Sequence, residues 1–105
     1  MKKYDKLVRD KIPELIQAGG NTCEYHIASP EEYQTKLYAK LLEELNEFIE
    51  APSVEEAADM WEVFSTICTL HQLDFTEVAR VAYLKSQKRG AFSSRIILES
   101  VQDSQ

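Results

Sequence analysis

The chain has 105 residues, of which 44% are apolar, and its 18 acidic and 12 basic side chains give a formal net charge of −6. A chain of this length allows one domain with a small core. The acidic balance argues against a protein that holds long nucleic acid by neutralising its phosphates, but it is compatible with a single nucleotide bound through a metal ion.

The sequence predicts a soluble protein that resides in the cytoplasm. It contains no apolar segment with the features of a signal peptide and none long enough to span a membrane. Cys23 and Cys68 are far apart, and Cys68 falls within a helical apolar pattern. This placement favours two reduced thiols over a disulfide.

Glycine and proline residues divide the chain into predicted helices. The first is a short helix from about Ile12 to Ala18, which ends at Gly19 and Gly20. The second runs from Ser29 to about Glu50, because a serine cap, a proline and a glutamate three residues after the cap are typical of a helix start.

The third predicted helix runs from Ser53 to about Gln72 and has the same start, with Glu56 three residues after the serine. It is apolar around most of its circumference, so we expect it to be the most buried. The fourth begins at Asp74, with Glu77 in the capping position, and ends at Gly90 in a left-handed conformation.

Two short stretches, Cys23 to Ile27 and Arg95 to Leu98, are rich enough in β-branched or aromatic residues to be strands that pair with each other. The remaining pattern predicts one all-α domain with an N-terminal extension (1–28), core helices (29–90) and a C-terminal tail (91–105). Because a unit of three long helices leaves an apolar face uncovered, we expect an antiparallel helical bundle whose four-helix core is completed by dimerisation.

Acidic residues on the second and third helices form the most informative pattern. A helical wheel places one pair on the apolar side of each helix, namely Glu44 with Glu47 and Glu56 with Asp59. The wheel directs their neighbours outward, namely Glu43, Glu50, Glu55 and Glu62. Because the connection between the helices is short, they should be antiparallel neighbours, and the two inward pairs should meet.

Four inward carboxylates would repel one another and lose hydration unless a cation accompanied them. Ligation by oxygen alone favours a hard ion, Mg²⁺ or Mn²⁺. Simpler roles exist for individual residues, since Glu56 can serve as a capping residue, Glu47 can solvate a helix flank and Lys40 can pair with Glu44. The joint placement of all four still favours a metal site, because a structural account needs a separate reason for each.

Cationic residues near both ends of the chain are candidates for phosphate binding. Lys85 and Arg89 lie on the core-facing stripe of the fourth helix, where they either bind anions or complement the helix dipole. Lys6 and Arg9 are interleaved with apolar residues and form either a second cationic edge or an ordinary solvated segment.

The chain resembles the MazG-like all-α nucleotide pyrophosphohydrolases, and particularly their phosphoribosyl-ATP pyrophosphohydrolase-like branch, over nearly its whole length. The family's paired signature, EExxE followed by ExxD on the next helix, reads here as Glu43-Glu44-Leu45-Asn46-Glu47 and Glu56-Ala57-Ala58-Asp59. The opening of the branch is similar to residues 4–13, and its closing element is similar to residues 85–92.

The resemblance implies Mg²⁺-dependent hydrolysis of a nucleotide between its α and β phosphates, which yields a monophosphate and pyrophosphate. It also implies a homodimer or homotetramer, in which Glu44, Glu47, Glu56 and Asp59 are the metal-binding and catalytic residues. Lys85, Arg89, Lys6 and Arg9 would then contact phosphate, and Phe92 would flank the base, a position for which Trp61 and Tyr33 are alternatives.

Two substrate classes fit this resemblance, noncanonical or excess nucleotides and a phosphoribosyl-ATP-like molecule. A different class of protein also fits the residues. A catalytically silent helical module would bind a nucleotide or a protein partner and use the same carboxylates only for helix caps and salt bridges.

Overall fold

The computed structural model describes residues 4–103, which contain four α-helices: α1 (Ile12–Ala18), α2 (Pro30–Glu50), α3 (Val54–Leu70) and α4 (Phe75–Arg89). The all-α prediction is therefore confirmed. The chain divides into two compact units, the first containing α1 to α3 and ending at residue 72, the second containing α4. In the described part of the chain, no helix has both the length and the apolar character needed to cross a membrane.

Serine caps set the starts of the two long helices, as the sequence predicts. The Ser29 hydroxyl accepts a hydrogen bond from the Glu32 N–H at 3.2 Å, and the Ser53 hydroxyl accepts one from the Glu56 N–H at 3.1 Å. The carboxylate of Glu32 contacts His26 Nε2 at 2.9 Å instead of returning to its cap. At the start of α3, the backbone N–H of Glu56 donates to the capping serine, whereas its carboxylate lies near Glu44 and Asp59.

The two ends of α4 differ in detail from the prediction. The Asp74 carboxylate accepts a hydrogen bond from the Thr76 N–H at 2.9 Å, whereas the Glu77 carboxylate pairs with Arg80. Gly90 has the predicted positive φ, at 85°, but its ψ of 168° lies outside the left-handed helical region. Such a backbone conformation is accessible almost only to glycine, which explains why the helix stops there.

Helices α2 and α3 form an antiparallel hairpin, because only residues 51–53 separate them and they pack against each other. At the end remote from the turn, the Tyr38 hydroxyl lies 2.6 Å from His71 Nε2. The two rings also stack, with their centroids 6.1 Å apart. The predicted antiparallel arrangement of the two helices is confirmed.

The core of the hairpin is small. Leu37 on α2 is 2% exposed and Cys68 on α3 is 3% exposed, and both thiols of the chain are unpaired, as predicted. Helix α3 has the largest share of buried or half-buried residues, 9 of 17 against 9 of 21 in α2, as expected, although Trp61 is 62% exposed and only Cys68 is fully buried among the residues of that helix. A hairpin covers a single face of each helix. Apolar residues of α3 that lie on its other faces therefore stay exposed in one chain.

The predicted strands are wrong, since residues 4–103 contain no strand. Residues 23–27 and 95–98 are irregular, Ile27 is 86% exposed, and Arg95 has a φ of 59°, which interrupts an extended run. A strand needs a neighbour to bond its N–H and C=O groups, and local β propensity cannot supply one.

Truncation of Leu37 should measure how much the hairpin core contributes to stability. We expect Leu37→Ala to lower the free energy of unfolding by about 2–5 kcal/mol, because it removes a fully buried side chain and leaves a cavity. Leu15→Ala is the control, since that side chain is 61% exposed. Urea denaturation of both variants should show a much smaller loss for the control, and equal losses would contradict this account of the core.

Candidate metal centre

Five carboxylates meet beside the turn of the α2–α3 hairpin and form what we call the acidic cluster: Glu43, Glu44, Glu47, Glu56 and Asp59. Carboxylate oxygens of Glu44, Glu56 and Asp59 all lie within 4.8 Å of one another, and so do those of Glu43, Glu44 and Glu47. Glu44 belongs to both groups and joins them. The three-residue spacing of Glu44 with Glu47 and of Glu56 with Asp59 directs each pair to one side of its helix, and the antiparallel hairpin brings the two sides together.

All four carboxylates predicted as metal ligands are therefore in the cluster, although they differ in burial. Glu44 is buried, Glu56 and Asp59 are half-buried, and Glu47 is exposed. Exposure of Glu47 fits its position at the edge of the apolar arc of α2.

The prediction that Glu43 faces away from the cluster is wrong. Its carboxylate is half-buried and lies 3.4 Å from the ammonium group of Lys6. A helical wheel gives the direction of the Cα–Cβ bond, but a glutamate has three side-chain torsions and can turn its carboxylate toward a nearby cation. The sequence offered no signal for this contact, because Lys6 is 37 residues away.

Two oxygens of the acidic cluster are buried without a hydrogen-bond donor in the described part of the chain, Glu44 Oε2 and Glu56 Oε2. Glu44 is 5% exposed, and its other oxygen lies 3.5 Å from Lys40. The alternative pairing with Lys40 thus exists but accounts for one oxygen only. A buried carboxylate oxygen without a partner is energetically costly, so both oxygens need a cation or a proton.

The electrostatics of the cluster favour the same conclusion. Burial raises the pKa of Glu44 above the ordinary value of 4.5, the charges of Glu47 and Asp59 raise it further, and Lys40 opposes them. Burial also raises the pKa of Glu56, together with the charges of Glu47, Glu44 and Asp59. The cations near the cluster are fewer than its carboxylates. Ionising all of these carboxylates therefore costs more free energy than it would in water.

The structure places two of the predicted phosphate-binding cations at the rim of the cluster. The Arg9 guanidinium donates a hydrogen bond to Asp59 at 2.8 Å and lies 3.8 Å from Glu62. Lys6 pairs with Glu43 at 3.4 Å. These contacts favour the interpretation of the N-terminal segment as a cationic edge of the site over that of an unattached solvated segment.

The other predicted substrate-binding residues, Lys85, Arg89 and Phe92, belong to the second unit. All three are exposed, and Lys85 lines a shallow hollow on α4 together with Val78 and Val81. Their contact with a substrate stays a prediction.

The acidic cluster fits a hard divalent cation. Its donors are all oxygen atoms, which is the ligand set that Mg²⁺ and Mn²⁺ prefer. Glu44 and Glu56, which carry the unpartnered oxygens, form one group with Asp59, so these three residues are the best-placed ligands. Glu47 adjoins them and remains accessible to water.

A groove of about 490 Å³ lies in the first unit, lined by residues 7–12, by Leu15 and by residues of α2 and α3. The sequence pattern did not predict this groove. Its signal was the alternation of apolar and charged residues in Leu7-Val8-Arg9-Asp10-Lys11-Ile12, which also fits a solvated segment. Only contacts between distant parts of the chain distinguish the two.

Comparison with known proteins shows a partial similarity. A stretch of 53 residues, half of this chain, is 47% identical to an uncharacterized protein of Mycolicibacterium smegmatis. The chain spans about half the length of that protein, since the match covers 53% of it. No protein-family model and no solved structure matches the chain.

The raised pKa values of Glu44 and Glu56 predict how stability depends on pH in the absence of metal. Because folding raises both pKa values above 4.5, protonation favours the folded state, so stability is greatest below the unfolded value and is lost as pH rises through the folded values. In EDTA, the melting temperature should therefore rise as pH is lowered from about 7.5 to about 5.

Thermal denaturation across this pH range tests the prediction, with the double variant Glu44→Gln/Glu56→Gln as control. The variant should show a flatter dependence, because neither amide titrates. Equal pH dependence of the melting temperature in the wild-type protein and the double variant would show that the two carboxylates are not held in a costly ionised state.

Magnesium should stabilise the wild-type protein, and Glu44→Gln should remove most of that effect. Binding to the folded state alone stabilises by about 2.7 kcal/mol when Mg²⁺ is present at 100 times its dissociation constant. Glu50→Gln is the matched control, because Glu50 is exposed on the same helix and lies outside the cluster. Thermal shifts with Mg²⁺ that are equal in both variants would argue against a metal centre at Glu44.

Proposed function

We propose that this protein is a Mg²⁺-dependent nucleotide pyrophosphohydrolase of the MazG-like kind. It would cleave a nucleotide between the α and β phosphates and release pyrophosphate and a nucleoside monophosphate. The observation that carries the proposal is the pair of buried, unpartnered oxygens of Glu44 and Glu56 within carboxylates drawn from two helices. A cluster that served only caps and surface salt bridges would not need to bury carboxylate oxygens without donors.

In this proposal Glu44, Glu56 and Asp59 hold the metal, with Glu47 beside them. Bound Mg²⁺ supplies positive charge that neutralises the phosphates and promotes the ionisation of water. Glu47 is exposed, so it can reach the attacking water and accept its proton, whereas Glu44 is buried and better suited to ligation.

Arg9 and Lys6 are suited to bind the phosphates of the substrate. Each already pairs with a carboxylate of the cluster, Asp59 and Glu43 respectively. A nucleotide would offer these cations phosphate oxygens in place of carboxylates, and a guanidinium binds phosphate with two parallel hydrogen bonds. Lys85 and Arg89 are further candidates, which would stabilise charge on the leaving pyrophosphate.

The exposed apolar side chains of α2 and α3 support the proposal of a homodimer or homotetramer. Seven large ones remain accessible in one chain: Tyr38, Leu42, Leu45, Ile49, Val54, Trp61 and Phe64. Association of two hairpins would cover such a surface and complete a four-helix core. We place the protein in the cytoplasm, where its nucleotide substrates are made and its thiols stay reduced.

The test is to incubate the purified protein with nucleoside triphosphates, noncanonical analogues and phosphoribosyl-ATP, in Mg²⁺ or EDTA, and to quantify pyrophosphate and orthophosphate. We expect pyrophosphate from at least one substrate, only with Mg²⁺. Glu56→Gln should lower the rate by about a hundredfold or more, because it removes a ligand charge. Glu55→Gln should retain the rate, since Glu55 is exposed and outside the cluster.

Orthophosphate as the initial product, or a rate that is indifferent to EDTA, would reject this reaction. No release from any substrate would instead favour the catalytically silent module, in which the same residues bind a nucleotide or a protein without hydrolysis.

A further inference from the structure

The groove beside the acidic cluster, which we call the N-terminal groove, has a mixed lining. One wall is formed by residues 7–12 and Leu15, and the other by side chains of α2 and α3. Much of the surface is apolar, and Leu7, Val8, Leu37 and Val63 are among the residues that line it. A groove of about 490 Å³ is within the range of small-molecule sites in proteins.

Two residues that line the N-terminal groove also touch the acidic cluster. Arg9 donates to Asp59 at 2.8 Å, and Lys40 lies 3.5 Å from Glu44. The groove therefore adjoins the candidate metal centre, so a ligand with its phosphates at the metal would extend its other end toward the groove.

The chemistry of the groove matches that of a nucleoside monophosphate. Its apolar walls can cover the faces of a base, while Arg9, Lys11 and Lys40 supply three cations for an anionic group. The phenol ring of Tyr33 also lines the groove, which offers an aromatic surface and one hydroxyl. Arg9 and Lys40 already pair with carboxylates of the acidic cluster, so an anionic group of the ligand would exchange with these partners.

We propose that the N-terminal groove binds the nucleoside portion of a nucleotide, so that residues 7–15 select the substrate. The proposal rests on the proposed function for the position of the phosphates at the acidic cluster. Binding of the nucleoside itself does not require hydrolysis and can be measured separately. On this account the residues before α2 do more than neutralise carboxylates, because they form half of a recognition site.

The experiment measures equilibrium binding of the monophosphates of adenosine, guanosine, cytidine and uridine to the full chain in Mg²⁺, with ribose 5-phosphate as the comparison ligand without a base. At least one monophosphate should bind about tenfold more tightly than ribose 5-phosphate, a difference assignable to the base. Val8→Trp, which fills the groove, should remove that advantage and weaken the monophosphate about tenfold.

Ile27→Trp is the matched control, because Ile27 is exposed and does not line the groove. It should bind like the wild-type protein. Circular dichroism establishes that each variant is folded, and Leu15→Trp serves as a second groove variant, since Leu15 lines the groove from α1 and is exposed.

Unchanged binding in both folded groove variants would overturn the inference, and so would equal affinity of the wild-type protein for ribose 5-phosphate and all four monophosphates. Either result together with metal-dependent pyrophosphate release would leave the proposed function standing. Loss of monophosphate binding in the groove variants of a protein that releases no pyrophosphate would support the groove and reject the hydrolase.

Discussion

Mutual repulsion among carboxylates at the α2–α3 interface is the constraint on which the rest of this structure depends. Glu44 carries a carboxylate into the interface, where Glu56 and Asp59 approach it from the other helix. Like charges in a partly buried site raise the cost of ionisation, and the pKa values of Glu44 and Glu56 rise accordingly. A small core and two serine caps stabilise the hairpin that holds these carboxylates close together. A bound cation would therefore reduce the repulsion among them and stabilise the folded chain.

The N-terminal segment links the acidic cluster to the N-terminal groove. Arg9 and Lys6 partly neutralise the rim of the acidic cluster, and the same segment forms one wall of the N-terminal groove. Arg9 contacts the carboxylate of Asp59 and also lines the groove. It could therefore exchange this carboxylate for an anionic group of a ligand with little movement. The same short segment would therefore serve the metal-free protein and the nucleotide complex in different ways.

Helix bounds and the identity of the inward carboxylates could be predicted from local sequence. Ser29, Ser53 and Asp74 start helices through contacts with residues two or three positions ahead, so a few neighbouring residues suffice to place each start. The strands failed for the opposite reason, because residues 23–27 and 95–98 have a suitable composition but no partner, and a strand is defined by its partner.

The sequence by itself determined the four helices and the sides of α2 and α3 on which Glu44, Glu47, Glu56 and Asp59 lie, since helical periodicity is a local property. Only the tertiary structure decided that Glu43 joins them, that Arg9 reaches Asp59 across 50 residues, and that a groove opens beside the cluster. It also decided how much of α3 is covered in one chain. These features depend on long-range packing and on flexible charged side chains, whose positions no local pattern records.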